Sequence, residues 1–458
     1  MNQWTLHVEE FGKIKEADIT VAPLTMFIGD NNSGKSYLMT LIYGLLHLSL
    51  SQYKYDANSM TFQSCWAVLE KIFEKAKNAE ELEYTFSDSD IKYTQDFLNE
   101  ILEKNLSRFI LSLFNREVSI KKLRVEFPKN TDFHLTVGYI GKVEEKIGMN
   151  VEAPKEAYSN PYLVISDKTH IGSLEGINEK WIWMRFVLEN MLKIDSDTCE
   201  EPVVYLPTTR TGFLLTYKTL VGNALEDKFT VQPVSKNLLT RPSGDFLRSL
   251  STMRVDTGRN KFESCIDFME SYILSGKIEV SQLPSHDVLY RPKGSEEPIP
   301  MFVSSGVVTE VTPLLLYLRY VDFGTLMIEE PEICLHPELQ WRMMQLLIRI
   351  QNEGVPVFLT THSDFMLQHV NNMIKANEMQ QKEAFLKNNG YVEEDLLNRE
   401  KTAVYQFDVD AESGQSTVTR LKCGDYGYEL PTFYETLKKM NRQIDDIEGL
   451  EESCLPNR

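Results

Sequence analysis

The chain has 458 residues, of which 42% are hydrophobic and 25% are charged, and its formal net charge is −19. This composition is that of a globular protein, and it excludes a fibrous repeat and a chain that is disordered throughout. The acidic balance argues against a protein that coats nucleic acid over its whole surface. The length predicts roughly two to four compact units.

The first residues and the cysteines indicate a cytoplasmic protein. The opening segment lacks the apolar core of a signal peptide, and no apolar run approaches the ~20 residues of a membrane-spanning helix. The six cysteines form no C-x-x-C pair, so we expect reduced thiols rather than a zinc ribbon or a disulfide framework. We expect no association with a membrane.

Hydrophobic patterning predicts an α/β chain in which short apolar strands alternate with helices. The predicted elements are strands over 3–28, a helix over 37–50, charge-rich helices over 52–115, alternating strands over 117–153, a helix over 174–195, a strand over 203–206, basic helices over 240–275, a hairpin over 285–303, a helix over 306–320, a strand over 324–329, a helix over 337–353, a strand over 355–360, a helix over 363–376, strands near 402–420 and a last helix over 431–446.

These elements suggest a division into domains. We expect a core domain from 1–50 and 200–430, a helical insertion over 51–115, a β-meander with a helix over 116–199, and a C-terminal helix and tail over 431–458.

Residues 29–36, Gly-Asp-Asn-Asn-Ser-Gly-Lys-Ser, follow an apolar strand and precede a helix. They fit the phosphate-binding loop G-x-x-x-x-G-K-[ST] in its expected context. Glycines let the backbone N–H groups turn toward phosphate oxygens, and the helix N-terminus adds its dipole to the same anion site. Lys35 is expected on the β- and γ-phosphates of ATP, and the Ser36 hydroxyl on Mg²⁺. The predicted nucleotide-binding residues of this loop are Gly29, Asn31, Asn32, Ser33, Gly34, Lys35 and Ser36.

A second candidate element is the apolar strand at 326–328, which ends in Glu329 and Glu330. Ligands bind beyond the carboxyl ends of parallel strands, where these acids would emerge. Glu329 is the predicted neighbour of Mg²⁺, and Glu330 is the predicted catalytic base that polarises the attacking water. An acidic strand end alone is typical of an ordinary surface, so the functional interpretation depends on the phosphate-binding loop.

The next predicted strand ends at His362. This histidine either caps the following helix or senses the γ-phosphate, and its place one strand after the acids favours the second role. Ser304, Ser305 and Gly306 begin an earlier helix. They are ordinary capping residues, but they also form an anion site. Since residues 29–36 already supply one such site, this one is free to bind the γ-phosphate held by another subunit.

In their sequences and in their order along the chain, these segments resemble the ABC-type ATPases of the SMC, RecF and OLD group. The resemblance is carried by L-H-V-E-E-F-G-K-I-K-E-A-D-I at the start, by F-I-G-D-N-N-S-G-K-S, by Y-L-P-T-T-R-T-G at 205–212 and by E-E-P-E-I-C-L-H-P at 329–337. It covers roughly 1–50 and 200–420. It implies an α/β fold, a P-loop ABC-type ATPase head with a mixed central sheet, an antiparallel β-meander and a helical insertion.

The resemblance also implies a homodimer, or a higher homo-oligomer, with two ATP molecules between the subunits. Lys35 and Ser36 would hold ATP and Mg²⁺ in one subunit, and 304–306 of the other subunit would contact the γ-phosphate. His336 and Pro337 would lie in the segment that crosses the interface.

The chain departs from the pattern at several points. Many relatives have Asp where Glu329 stands, S-S-G is shorter than the L-S-G-G-Q of transporters, and the Q-loop glutamine is not placed. Arg210 is open to two interpretations, an arginine that contacts phosphate or one partner of a surface ion pair.

Two features narrow the choice within the group. Only 267 residues separate Ser36 from Ser304, too few for the fold and a long coiled-coil arm. Asp408-Val409-Asp410 spells the D-x-D of metal nucleases, but the adjacent Glu412-Ser413-Gly414 favours a structural turn. We therefore expect an ATPase without its own nuclease.

Stand-alone ATPases of this design resemble the ATPase subunits of bacterial anti-phage systems such as Septu (PtuA-like) and PARIS (AriA-like). That resemblance implies a subunit that controls a separate effector protein, expected to be a nuclease. Two alternatives stay open. One is a RecF-like repair ATPase that binds DNA through the basic stretch from Arg241 to Lys261, and the other, less favoured, is a transporter ATPase.

Overall fold

A computed structural model describes residues 3–79, 81–139, 161–165, 168–174, 176–193, 199, 201–227, 239–255, 261–281, 287–429, 438, 440–444 and 446–447. Most of the predicted last helix over 431–446 lies outside these residues, as do 140–153 of the predicted strands over 117–153.

Strands run through the whole of this described part. They are β1 (Thr5–Phe11), β2 (Ile14–Thr20), β3 (Leu24–Gly29), β4 (Glu81–Thr85), β5 (Lys122–Glu126), β6 (His134–Tyr139), β7 (Pro161–Ile165), β8 (Lys168–Ile171), β9 (Val204–Leu206), β10 (Gly276–Val280), β11 (Val288–Pro292), β12 (Ile299–Pro300), β13 (Leu326–Glu329), β14 (Val357–Thr361), β15 (Thr402–Val409) and β16 (Ser416–Arg420).

Helices connect most of the strands. They are α1 (Lys35–Leu46), α2 (Met60–Ala76), α3 (Asp88–Lys104), α4 (Leu106–Phe114), α5 (Ile177–Met191), α6 (Arg210–Asp227), α7 (Arg241–Thr252), α8 (Glu263–Phe268), α9 (Gly306–Tyr320), α10 (Pro337–Asn352), α11 (Asp364–Glu378) and α12 (Lys382–Asn389). A π-helical turn, Met269–Leu274, continues α8.

A mixed sheet organises the described residues, with strand order β5-β1-β2-β16-β15-β3-β14-β13-β9. The run β15-β3-β14-β13-β9 is parallel, whereas β5, β1 and β2 pair antiparallel. Strands β13 and β14 are buried along their whole length, as expected for parallel strands covered on both faces. The carboxyl ends of β3, β14 and β13 therefore lie side by side at one edge.

Side-chain alternation along these strands builds two hydrophobic clusters. On β3, Met26 and Ile28 belong to the cluster formed with α6–α11, whereas Phe27 belongs to the cluster formed with α1–α5. On β13, Ile328 and Met327 divide in the same way. Burying one such side chain stabilises the fold by about 1.5–3 kcal/mol. Hydrophobic side chains thus pack on both faces of the sheet.

A second sheet differs from the predicted meander. Its order is β4-β6-β7-β8, all antiparallel. β4 comes from the stretch predicted to be helical, and β5, predicted in the meander, pairs with β1 in the large sheet. Both errors concern five-residue strands, whose partners are set by contacts distant in sequence rather than by local pattern.

Two other predicted regions have the expected elements. The hairpin over 285–303 contains β11 and β12, and Gly294 in the turn has a φ of 83°. The basic stretch forms α7, α8 and the π-helical turn. Within the described ranges, no helix is both long and apolar enough to cross a membrane.

Candidate nucleotide-binding site

The loop between β3 and α1 is held in a conformation that depends on its glycines. Gly29 has a φ of 126°, and a Cβ there would lie 2.1 Å from the carbonyl oxygen of Phe407 on β15. Gly34 has a φ of 102°, and a Cβ there would lie 2.9 Å from Ile14. Asn32 is also left-handed, with a φ of 59°. Asn, like Gly, tolerates that region, so the residues at these three positions suit the loop.

The N-terminus of α1 is suited to bind an anion. No side chain caps it, and its first turn has no acidic residue. The unpaired N–H groups of the first turn, together with the helix dipole, favour an anion here. Ser36 in this turn is exposed, as are Asn31 and Asn32, whereas Ser33 is fully buried.

Lys35 is 5% exposed, and its ammonium group donates to oxygens of its own loop. Nζ lies 3.1 Å from the carbonyl oxygen of Gly29, 2.6 Å from that of Asp30 and 3.4 Å from Oγ of Ser33. Burial lowers the pKa of Lys35 to about 8, and the nearby carboxylates of Glu330, Asp30 and Glu332 oppose this shift. The group is a buried cation with neutral oxygen partners, which a phosphate would replace with stronger ones.

Glu329 ends β13 and is 6% exposed. Both of its carboxylate oxygens already accept hydrogen bonds, from the Tyr205 hydroxyl at 2.8 Å and from the Thr208 N–H at 3.1 Å. Burial and this carboxylate raise the pKa of Tyr205 well above its usual value, so Tyr205 stays a donor. Strand β9 and the segment after it thus fix the first acid.

Glu330 follows in a left-handed conformation with a φ of 42°. Its N–H donates to the carbonyl oxygen of Thr360 at 2.9 Å, and its carboxylate lies 3.7 Å from Nε2 of His362. The His362 ring lowers the pKa of Glu330, with smaller contributions from Lys35 and Arg210. Both side chains of the pair are 30% exposed. Glu330 is therefore an ionised acceptor that water reaches.

Glu332 belongs to the same cluster, although no role is predicted for it from the sequence. Its Oε1 accepts from the N–H of His362 at 2.6 Å, and burial raises its pKa. His362 is thus held through its backbone by one acid while its ring faces another. The sequence E-E-P-E shows Glu332 as a third acid close to Glu329 and Glu330. Only the register of β13 on β14, which pairs Glu329 with Thr360, places it beside His362.

Arg210 differs from both interpretations made from the sequence. Its side chain is 1% exposed, so it is neither a surface residue nor open to a phosphate. Nη1 donates to the carbonyl oxygen of Glu329 at 2.6 Å, Nη2 donates to that of Glu330 at 3.0 Å, and Nη2 pairs with the Glu310 carboxylate at 2.5 Å. Glu310, 3% exposed on α9, was not singled out in the sequence because nothing local marks it.

The Ser-Ser-Gly segment is held by hydrogen bonds to its own helix and to the turn before it. Ser305 caps α9 by accepting from the N–H of Val308 at 3.4 Å, and Ser304 donates to the carbonyl oxygen of Pro300 at 3.2 Å. A Cβ on Gly306 would lie 3.6 Å from Sγ of Cys334. In the described part of the chain, no hydrogen bond or ion pair joins 304–306 to 29–36.

Two remaining predictions concern smaller features. His336 is the N-cap of α10, where its Nδ1 accepts from the N–H of Glu338 at 3.4 Å, and Pro337 is the first residue of that helix. Asp410 accepts from the N–H of Ser413 at 3.1 Å, so the D-x-D segment is the structural turn that was favoured. Among the described residues, no cluster of three or more His, Cys, Asp or Glu could hold a metal ion.

The fold and this edge define a P-loop ATPase of the mixed α/β class, as predicted. A family model described as "AAA ATPase domain" matches residues 1–183 and 316–367, just over half of the chain. The chain belongs to this family.

No curated protein sequence matches the chain. Among solved structures, an SMC head bound to the C-winged helix domain of ScpA is similar at 11% identity and a TM-score of 0.36, over 92% of this chain and 98% of that one. The SMC head domain from Thermotoga maritima aligns at 10% identity and a TM-score of 0.34, over 92% of this chain and 100% of that one. An SMC head with an extended coiled coil from Pyrococcus furiosus, bound to the C-terminal domain of ScpA, aligns at 10% identity and a TM-score of 0.35, over 98% of this chain and 99% of that one.

Proposed function

We propose that this protein hydrolyses ATP at the edge formed by β3, β14 and β13, with Glu330 as the catalytic base. The observation that carries the proposal is the Glu330–His362 pair beside the loop of Lys35. Glu330 has a pKa lowered by His362 and is partly exposed. An ionised carboxylate at this position accepts a proton from, or orients, the water that attacks the γ-phosphate.

The residues of the loop fit a nucleotide triphosphate. The uncapped N–H groups at the start of α1 and the Lys35 ammonium supply donors for the phosphates. Gly29 and Gly34 allow the positive φ angles of the loop that carries these donors. Gly29, Asn31, Asn32, Ser33, Gly34, Lys35 and Ser36 are the proposed binding residues of one subunit. When ATP binds, its phosphate oxygens take the place of the loop carbonyls around Nζ.

The exposed hydroxyl of Ser36 fits a magnesium ligand. Mg²⁺, when bound, neutralises charge that develops on the β- and γ-phosphates. Glu329 keeps its oxygens on Tyr205 and Thr208. We therefore propose that Glu329 acts on the metal through water rather than as a direct ligand, which suits an ion that retains several waters.

We propose that a second copy of the chain completes the site. Within the described residues, 304–306 make no hydrogen bond or ion pair with 29–36 of the same chain. They lie at the N-terminus of α9, and Phe302 and Val303 beside them are 76% and 58% exposed. An anion site next to exposed apolar side chains suits a surface that closes on another subunit's γ-phosphate. His336 and Pro337, at the start of α10, would lie in the same interface.

For the biological role, we propose that the protein is a subunit of an anti-phage complex. It controls a separate effector, a nuclease, by ATP-dependent dimerisation.

The alternative is a RecF-like repair ATPase that binds DNA through 241–261. The charges of this stretch are partly neutralised in place: Arg241 and Arg248 pair with Asp245 at 3.5 and 2.9 Å, and Lys261 lies 3.7 Å from Asp322. This pairing, with the net charge of −19, favours a protein partner over DNA.

Two experiments test these levels separately. Phosphate release from Mg-ATP by the purified chain tests hydrolysis, and no release above a Lys35→Ala control would contradict it. Next, tagged Glu330→Gln and Lys35→Ala chains are expressed from the native operon, and their partners are compared by mass spectrometry. A stoichiometric nuclease retained according to nucleotide state, together with loss of phage resistance in both variants, supports the defence role. Salt-sensitive DNA alone would favour repair.

A further inference from the structure

The buried guanidinium of Arg210 links three separate segments. Nε donates to the carbonyl oxygen of Glu310 at 3.3 Å, and Nη1 donates to the carbonyl oxygens of Pro207 at 3.1 Å and Glu329 at 2.6 Å. Nη2 donates to the carbonyl oxygen of Glu330 and pairs with the Glu310 carboxylate. The segment after β9, the end of β13 and the first turns of α9 therefore meet at one side chain.

At one end of this network, the backbone of Glu330 is strained. Glutamate in the left-handed region is uncommon and persists only where its surroundings fix it. The N–H of Glu330 is held by the carbonyl oxygen and Oγ1 of Thr360, at 2.9 and 3.1 Å. Its carbonyl oxygen is held by Arg210 at 3.0 Å. These contacts fix both peptide groups of Glu330, and with them the direction of its side chain toward His362.

The other end of the network is the Ser-Ser-Gly helix. Glu310 lies one turn after Gly306 on α9, and its second carboxylate oxygen accepts from the Thr211 hydroxyl. Each carboxylate oxygen of Glu310 thus has a partner, one in the ion pair with Arg210 and the other in the hydrogen bond from Thr211. A shift of α9 cannot leave the Glu330 backbone unchanged, because one planar guanidinium is bonded to both.

We propose that Arg210, paired with Glu310, is a positioning residue that holds Glu330 in its left-handed conformation. Through this pair, the direction of the Glu330 side chain depends on the position of α9. Contact of 304–306 with a partner's nucleotide then acts on the base of the same chain through this link. This inference rests on the proposed function, since it assigns the base to Glu330.

Arg210→Lys tests the link, because lysine keeps the charge but cannot form the planar set of hydrogen bonds. We expect kcat for ATP to fall by about 10- to 100-fold, while ATP affinity in equilibrium binding stays within about twofold. In a Glu330→Gln background, single-turnover rates should show no further fall, because the group being aimed is already gone. The matched control is Arg349→Lys, whose arginine pairs with buried Asp395 at 2.6 Å away from the site, and it should leave kcat unchanged.

A second variant covers the case in which Arg210→Lys does not fold. Thr211→Val removes the hydroxyl that donates to Glu310 and keeps the side-chain shape, so it should lower kcat by a smaller factor at unchanged ATP affinity. Three outcomes would overturn the inference without affecting the proposed function. They are a wild-type kcat in a folded Arg210→Lys chain, parallel losses of kcat and ATP affinity, and a further loss of rate in the Glu330→Gln background. A wild-type chain without turnover would overturn the proposed function and the inference with it.

Discussion

Nε2 of His362 lies 3.7 Å from a carboxylate oxygen of Glu330, at the carboxyl ends of two neighbouring parallel strands. The two residues come from different strands, and the register of β13 on β14 brings them together. Because Glu332 accepts from the N–H of His362, the histidine is fixed while its ring remains partly exposed. The pair is therefore the point at which substitution should separate hydrolysis from binding.

Glu330→Gln removes the proposed base but keeps the size and the backbone contacts of the residue. We expect turnover to fall by about 10²- to 10⁴-fold, while ATP affinity is retained, since no binding donor is lost. Phosphate release and equilibrium nucleotide binding measure the two effects. Glu74→Gln, an exposed glutamate on α2, is the control. Unchanged turnover in Glu330→Gln would remove this residue as the base.

His362→Ala should change the pH profile of turnover as well as its height. The ring now lowers the pKa of Glu330, so its loss should raise that pKa. A base must be deprotonated, so the acid limb of the kcat profile should move to higher pH. His134→Ala on β6 should not move it. An acid limb at the wild-type position would show that His362 does not set the ionisation of Glu330.

Lys35 makes nucleotide affinity depend on pH. Burial lowers its pKa to about 8 in the free protein, so its charge is complete only below that value. We expect ATP affinity to weaken as pH rises above about 8, by up to tenfold per pH unit as the free ammonium is lost. Lys35→Ala should bind more weakly and without this dependence. A wild-type affinity that is flat between pH 7 and 10 would contradict the prediction.

Gly29→Ala tests how closely the loop approaches β15. Its Cβ would meet the Phe407 carbonyl oxygen, and its φ lies in a region that alanine avoids. We expect the free energy of unfolding to fall by about 1–3 kcal/mol or more, together with loss of nucleotide binding. Gly294→Ala also has a positive φ but no atom within 4 Å, so it measures the conformational cost without the collision. Equal thermal unfolding shifts in the two variants would exclude the collision.

Mixed dimers test the shared site. Lys35→Ala lacks a working loop but keeps 304–306, whereas Ser305→Arg keeps the loop and blocks the other half. Each variant alone should be nearly inactive, and a mixture should regain part of the turnover because one site per mixed dimer is intact. Mixing Lys35→Ala with Glu330→Gln serves as the control, because both changes fall on the same half of the site. No recovery in the first mixture would argue against composite sites.

The loop and the acidic strand could be predicted from the sequence because each is encoded locally. An apolar strand, a glycine pattern and a helix are adjacent in residues 24–46, and Glu329 follows its own strand directly. Arg210 could not be interpreted in this way. Its partner Glu310 is distant in sequence, and the surrounding residues of each give no sign that both are buried. The two wrong predictions for β4 and β5 have the same cause: β4 lies in a stretch predicted to be helical, and β5 pairs with β1 rather than within the predicted meander. The pairing partners of short strands are decided by the assembled fold.

The position of β3 in the sheet affects how the protein folds while it is synthesised. Leu24 pairs with Val357 on one side and with Thr402 on the other, so the strand that carries the loop is synthesised long before either neighbour. At about 5–20 residues per second, a ribosome needs on the order of tens of seconds to supply them. An incomplete chain therefore has the loop sequence without the sheet that shapes it, and the loop can reach its folded conformation only after both neighbouring strands have been made.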